Sequence, residues 1–193
     1  MSTDPVDRPI LLIDEIASPL GRIVIAARDG RLCAVEFGRA AMARRLARRC
    51  PGWPRRRVRD PFGISSSIRA YLAGDLTAVD RIAVDTGGTA FQRRVWRALR
   101  AIRVGRTMSY AALARAIGHT AAVRAVGAAN GSNPISIVVP CHRLIGGDGS
   151  LTGYGGGLWR KRWLLDHEGA ASRFARPATP RGERRTGRSR SPR

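Results

Sequence analysis

A chain of 193 residues with 44% hydrophobic content has room for one compact domain or two small ones. Its 35 basic residues against 14 acidic ones leave a formal charge of +21, which points to a polyanionic partner, nucleic acid ahead of an anionic membrane surface. No apolar run approaches the roughly 18 residues that span a bilayer, and the opening MSTDPVDRPI lacks the pattern of a secretory signal.

Three cysteines, Cys33, Cys50 and Cys141, fit a reducing compartment, here a bacterial-type cytoplasm, better than a disulfide framework. In chain order, residues 10–16 and 21–27 read as strands around the turn SPLG, and RDG leads into a third strand, 31–37. Together they predict a three-stranded antiparallel meander. Residues 39–50 predict a helix with Met42, Ala43 and Leu46 on one face. PGWPRRRVRDP reads as a breaker-rich connection, and ISSSIRAYLAGD as a short helix ending at Gly74. DTGGTA, 85–90, reads as a linker between an N-terminal α/β domain, 1–84, and a mostly helical C-terminal domain, 91–169. The remainder, 170–193, holds eight arginines and one acid and is expected to be a disordered basic tail. The body without it still carries +14.

In the second half, Thr89 is placed to cap AFQRRVWRALRAI, with Phe91, Val95, Leu99 and Ile102 on one face. Ser109 is placed to cap YAALARAIG, and 121–131, AAVRAVGAANG, forms a second short helix after a tight connection. The pair reads as a helix-turn-helix. The second helix is almost all Ala and Gly, with Arg124 as its one long charged side chain. Small residues there suit either tight helix packing or close approach to a nucleic-acid backbone, and the basic body favours the latter.

IVVPCHRLIGG places a thiol, an imidazole and a guanidinium in a row after a strand expected to be buried. The nucleophile of a cysteine is its thiolate, a minority species for a free thiol of pKa about 8.5. A histidine can raise that fraction, and an anionic group commonly orients the histidine. The histidines are His119, His142 and His167. On an extended strand neighbours face opposite ways, so Cys141 and His142 meet only if Pro140 turns the chain or a water bridges them. DHEG near the end of the last helix offers Asp166 and Glu168 as the third group, and spacing does not choose between them. Cys33 reads as a small core hydrophobe, Cys50 as a helix-end residue, and His119 as a turn residue or phosphate contact. No Cys/His set has zinc spacing, so neither metal nor cofactor is expected.

FQRRVWRAL, SYAALA, VRAVGAANGSNP, IVVPCHR, GYGGG and WLLDHEG occur in that order. Over 89–169 the chain resembles the O6-alkylguanine-DNA alkyltransferases, the methylated-DNA–protein-cysteine methyltransferase family. ASPLG loosely resembles the family's opening hairpin, and the arginine tail has no counterpart there. The resemblance implies an α/β fold: a small antiparallel-sheet domain, then a mostly helical domain with the helix-turn-helix and the active cysteine. It implies direct-reversal DNA repair, in which Cys141 takes the alkyl group from O6-alkylguanine, with O4-alkylthymine as the alternative substrate, once per molecule. His142 would act as general base through water, Glu168 rather than Asp166 would hold His142, and Asn133 would tie the helix-turn-helix to the active-site strand. The target nucleotide must leave the duplex. Arg124 would take its place, and Tyr110 would turn the neighbouring phosphate and bond the flipped guanine. Ala111, His119, Ala128 and Gly131 complete the implied DNA-binding set, and Pro134, Leu144, Tyr154, Gly155 and Gly156 the pocket. The implied partner is double-stranded DNA with an alkylated guanine, bound in the minor groove by a monomer, alone or cooperatively.

Two departures stand out. Ile102, Arg103, Val104 and Gly105 replace the family's frequent IPxG, and Gly155 replaces a serine of some members, which implies a wider pocket. The rival readings are a non-catalytic lesion sensor, a DNA-compacting module and a thiol hydrolase. The first lacks the cysteine that is present here.

Overall fold

Asp29 and Gly30 have φ of 48° and 70°, the left-handed pair that a two-residue hairpin turn demands. They join β2 (Ile23–Arg28) to β3 (Arg31–Phe37), and β1 (Leu11–Ile16) pairs antiparallel on the other side of β2. This computed structural model describes residues 8–170, so the basic tail expected from 170 onward lies, beyond Ala170, outside the described residues.

The sheet has four strands, not the three expected, in the order β3-β2-β1-β4. β4 (Arg55–Arg57) runs parallel to β1 inside the stretch expected to be a connection. Its prolines lie outside the ladder. Leu11 N–H donates to the Pro54 carbonyl at 2.9 Å and Val58 N–H to the Ile13 carbonyl at 3.0 Å, while all three arginines face solvent. A short, charged strand of this kind blunts a sheet edge.

Helix α1 (Arg39–Arg49) buries Met42 and Leu46 against Leu11, Val24, Ala26, Cys33 and Ala34. Ala43, expected on that face, is exposed. It sits one residue, about 100°, around the helix from Met42. Cys33 packs as a small hydrophobe and Cys50 follows the helix end.

The opposite sheet face carries the main core. Ile23, Ile25 and Val35 pack with Ile68 and Tyr71 of α2 (Ile64–Leu72), Val95 and Leu99 of α3 (Ala90–Arg100), Val139, and Leu164 of α6 (Leu158–His167). Parallel bridges Leu32–Val84 and Val35–Ile135 stitch β3 to the segment before α3 and to the second half.

Helix α3 starts with a full capping box: the Gln92 amide donates to Thr89 Oγ1 at 3.2 Å and the Thr89 amide to Gln92 Oε1 at 2.9 Å. Trp96 Nε1 donates to the Ala129 carbonyl at 2.8 Å and so fixes α3 against α5 (Val123–Gly131). Ser109 caps α4 (Tyr110–Ala116). Helices α4 and α5 form the expected helix-turn-helix, with α5 beginning two residues later than the sequence suggested. A two-stranded parallel ladder joins β5 (Met108–Ser109) to β6 (Leu144–Ile145), directly after Cys141–Arg143. The fold is thus α/β: a mixed sheet with helices, followed by a mostly helical half. No helix among the described residues is long and apolar enough to cross a membrane.

Candidate active site

The segment before Cys141 is buried, but it is not the strand the sequence suggested. Ile135 makes a single bridge, the chain turns through 136–138, and Ile137 has φ of 73°. A β-branched residue in that region costs roughly 1–3 kcal/mol and persists only where its surroundings hold it. Asn133 does the holding. Its Oδ1 accepts from Ile135 N–H at 3.0 Å, and its Nδ2 donates to the Val139 carbonyl at 2.8 Å. These bonds replace the ladder partners a strand would have used.

Pro140 then leads into a 3-10 turn formed by Cys141, His142 and Arg143. The turn removes the alternation that would have set Cys141 and His142 on opposite faces. All three side chains are buried. Glu168, just past α6, receives two of them: His142 Nε2 lies 3.0 Å from Oε1, and Arg143 straddles the carboxylate with Nε to Oε2 at 2.9 Å and Nη2 to Oε1 at 2.8 Å. Asp166 faces solvent, so the choice left open by spacing falls to Glu168. Because the carboxylate accepts from Nε2, that nitrogen is assigned the proton of the neutral ring. Nδ1 is then a buried acceptor, and no group bonds it.

Burial alone would push the Glu168 carboxyl up, but hydrogen bonds and charge from His142 and Arg143 outweigh it and hold the group well below the usual carboxylate range. Burial lowers His142 from its ordinary 6.5, against the pull of Glu168. Burial also raises the Cys141 thiol, opposed by Asn133 and the Lys161 ammonium. Lys161, the only lysine in the sequence, is completely buried. Its Nζ donates to the carbonyls of Leu144 and, at 2.8 Å, Thr152, tying α6 to the strand after the cysteine and to the glycine-rich loop. Burial pushes its ammonium down to about 8.

Cys141 opens onto a cavity of about 90 Å³ lined with Asn130, Asn133, Ser136, Tyr154 and Gly155, and with Glu36 and Arg45 from the first half. Of the expected pocket residues, Tyr154 and Gly155 line it, whereas Pro134 and Leu144 are buried outside its lining. Gly156 is required nearby, since a Cβ there would come within 2.7 Å of the Phe37 ring. Tyr110 begins α4, lies against Gly127 of α5, and its hydroxyl accepts from Thr152 Oγ1 at 3.3 Å.

On α5, Val126, Ala129 and Asn130 are buried, while Arg124, Ala125, Ala128 and Gly131 form an exposed strip of small residues around one arginine. The small-residue helix therefore packs on one face and leaves the other exposed. Ala111 is half-buried on α4. His119 is exposed in the turn, 2.9 Å from Arg94 and edge-on to Phe91. Among the described residues no three His, Cys, Asp or Glu side chains group as a metal site.

Sequence reasoning missed four participants: Tyr71, whose hydroxyl donates to Glu168 Oε1 at 2.7 Å; Arg143 as the carboxylate's bidentate partner; Lys161; and Arg45. The two available signals were an apolar-face tyrosine, Tyr71, and a lone lysine among arginines.

A buried cysteine beside a carboxylate-held histidine, carried next to a helix-turn-helix, defines a DNA-binding protein with a reactive thiol. Residues 90–170 match the family described as 6-O-methylguanine DNA methyltransferase, DNA binding domain. The methylated-DNA–protein-cysteine methyltransferase of Shigella flexneri is 50% identical over 164 residues, 82% of this chain and 96% of that one. The crystal structure of Mycobacterium tuberculosis OGT in complex with DNA superposes with a TM-score of 0.70 at 40% identity, covering 84% of this chain and 94% of that one. The O6-methylguanine-DNA methyltransferase of the archaeon Pyrococcus kodakaraensis gives a TM-score of 0.60 at 26% identity over 82% and 99%. This chain belongs to the methylated-DNA–protein-cysteine methyltransferase family.

Proposed function

We propose that the chain, a DNA-repair methyltransferase by family, takes the alkyl group of O6-alkylguanine in duplex DNA onto Sγ of Cys141, irreversibly and once per molecule. The observation that carries this reading is His142: its Nε2 is fixed by Glu168, and its Nδ1 is a buried, unbonded acceptor one residue from the thiol. The thiol proton passes through a water to Nδ1. Sγ forms a bond to the alkyl carbon, the carbon–O6 bond breaks, and its electron pair stays on guanine. The proton given up by the thiol balances the one gained at guanine N1 by way of solvent. A thioether is left, which water does not hydrolyse, so turnover stops at one equivalent.

The base reaches Cys141 only when flipped out of the stack. Arg124, exposed in the first turn of α5, fills the gap, and the strip of Ala128 and Gly131 lets α5 sit deep in the minor groove. Ala111 and His119 flank this surface, and Tyr110 at the start of α4 meets the displaced nucleotide and its phosphate. Tyr154 and Gly155 wall the base. A Cβ at Gly155 would meet open space, which supports acceptance of groups larger than methyl; a strict preference for methyl over benzyl adducts would rule this out. In this reading 91–169 is the DNA-binding and catalytic part, 1–84 its α/β support and 85–90 the join.

The test is intact mass after mixing with a duplex carrying one O6-methylguanine. One methyl group mapped to Cys141, never more than one equivalent, and none on Cys141→Ala, bears out the reading. Unchanged mass with the duplex still bound replaces it with a lesion sensor.

A further inference from the structure

Glu168 Oε1 accepts from three donors: Tyr71 Oη at 2.7 Å, Arg143 Nη2 at 2.8 Å and His142 Nε2 at 3.0 Å. The histidine bond is the longest of the three. Tyr71 comes from α2 in the first half of the chain, 97 residues from Glu168 in sequence, and is fully buried. His167 holds it at two points. His167 Nε2 lies 2.7 Å from the Tyr71 carbonyl, and the His167 ring stands edge-on to the phenol at 5.3 Å while stacking on Trp163.

We propose that Tyr71 is a positioning residue for the alkyl transfer: its hydroxyl takes up part of the Glu168 charge and thereby sets how readily His142 accepts the thiol proton. This rests on the reaction proposed above. A carboxylate oxygen has limited electron density to share, and each strong donor weakens the pull on the others. With the phenol in place, Glu168 orients the imidazole without drawing its Nε2 proton so hard that Nδ1 becomes protonated before substrate arrives. The other charged or titratable groups around the pair are Arg143, Lys161, Cys141, His167 and Tyr154. None of them donates a neutral hydrogen bond to Glu168, so the phenol's contribution is separable from theirs. A tyrosine that served packing alone would be replaced by phenylalanine without effect on proton affinity.

The test is the pH dependence of single-turnover methyl transfer to Cys141 in the full chain. Removing the phenol in Tyr71→Phe strengthens the pull on His142. The acid limb of the rate then moves up by roughly half a pH unit, with duplex affinity unchanged. Tyr71→3-fluorotyrosine, a more acidic phenol of nearly the same shape, moves the limb down. That variant decides the matter if the phenylalanine protein does not fold. Limbs that stay at the wild-type pH, or shift in the same direction in both variants, overturn the role of Tyr71 and leave the reaction standing. Absence of transfer by the wild-type protein overturns both.

Discussion

The guanidinium of Arg45, on helix α1 of the first half, lies 3.1 Å from the carbonyl of Asn133, the residue whose side chain braces the loop into Cys141. It also reaches the Ser132 carbonyl at 3.3 Å, and its Nε bonds Glu36 at 2.5 Å. One planar group thus joins β3, α1 and the end of the helix-turn-helix at the cavity wall.

Arg45→Ala is expected to destabilise the protein by about 1–3 kcal/mol, the usual cost of stranding largely buried, charge-assisted partners. Alkyl transfer should slow in parallel, because the loop before Cys141 loses its brace. Arg45→Lys should recover little, since an ammonium cannot span a carboxylate and two carbonyls in one plane. Urea unfolding beside single-turnover rates checks this; a lysine variant with wild-type values in both would refute it.

Acid should act in two stages. His142 is held neutral by burial, so below its ordinary 6.5 the unfolded chain takes up a proton that the folded chain refuses, and stability begins to fall. Glu168 is held ionised, so its contribution is complete above its ordinary 4.5 and is lost as pH drops through its lower folded value. Glu168→Gln should remove the second stage, and at neutral pH it should cost about 3–5 kcal/mol by leaving the Arg143 charge buried without a partner. Chemical denaturation from pH 3 to 8, wild type against variant, reads both effects; parallel curves would contradict the assignment.

Lys161 acts in the same direction at higher pH. Its ammonium falls to about 8 when folded, from 10.5, so between those values the unfolded chain holds more protons and stability rises with pH. Lys161→Met should lack that rise, worth about 3 kcal/mol over the interval. It should also free the Leu144 and Thr152 carbonyls and slow the reaction. A variant with the same alkaline profile as wild type would place the proton elsewhere.

Arg124→Ala separates flipping from chemistry. Transfer from duplex DNA should drop about 10- to 100-fold, the equivalent of the few kcal/mol needed to unstack a base. Reaction with free O6-benzylguanine, which needs no flipping, should be unchanged. Equal losses on both substrates would move Arg124 into the chemistry.

Much of this was legible in the sequence where local rules act alone. Thr89, Ser109 and the Asp29–Gly30 turn announce their elements because each satisfies backbone groups within three residues. The strand expected before Cys141 was misread because its apolar, β-branched composition is shared by strands and buried turns alike. What decides is a side chain, Asn133, several residues away. Arg55–Arg57 was missed because its pairing comes from β1, far off in sequence, and not from its own residues. Arg45, Tyr71 and Arg143 stayed hidden for the same reason. In a chain this rich in arginine, one guanidinium looks like any other until a carboxylate or carbonyl from another segment faces it.

The lysine and arginine side chains of this protein are 34 arginines and one lysine, and that lysine is buried on the inner face of α6. The protein thus meets anionic partners with guanidinium groups, while its sole ε-amine faces inward. Amine-directed acylating reagents, and any modification that needs a side-chain amine, find no side-chain amine to act on while α6 stays docked. Acylation at Lys161 is therefore a clock for the opening of that helix: it reports how often α6 lifts from the Leu144 and Thr152 carbonyls that follow Cys141.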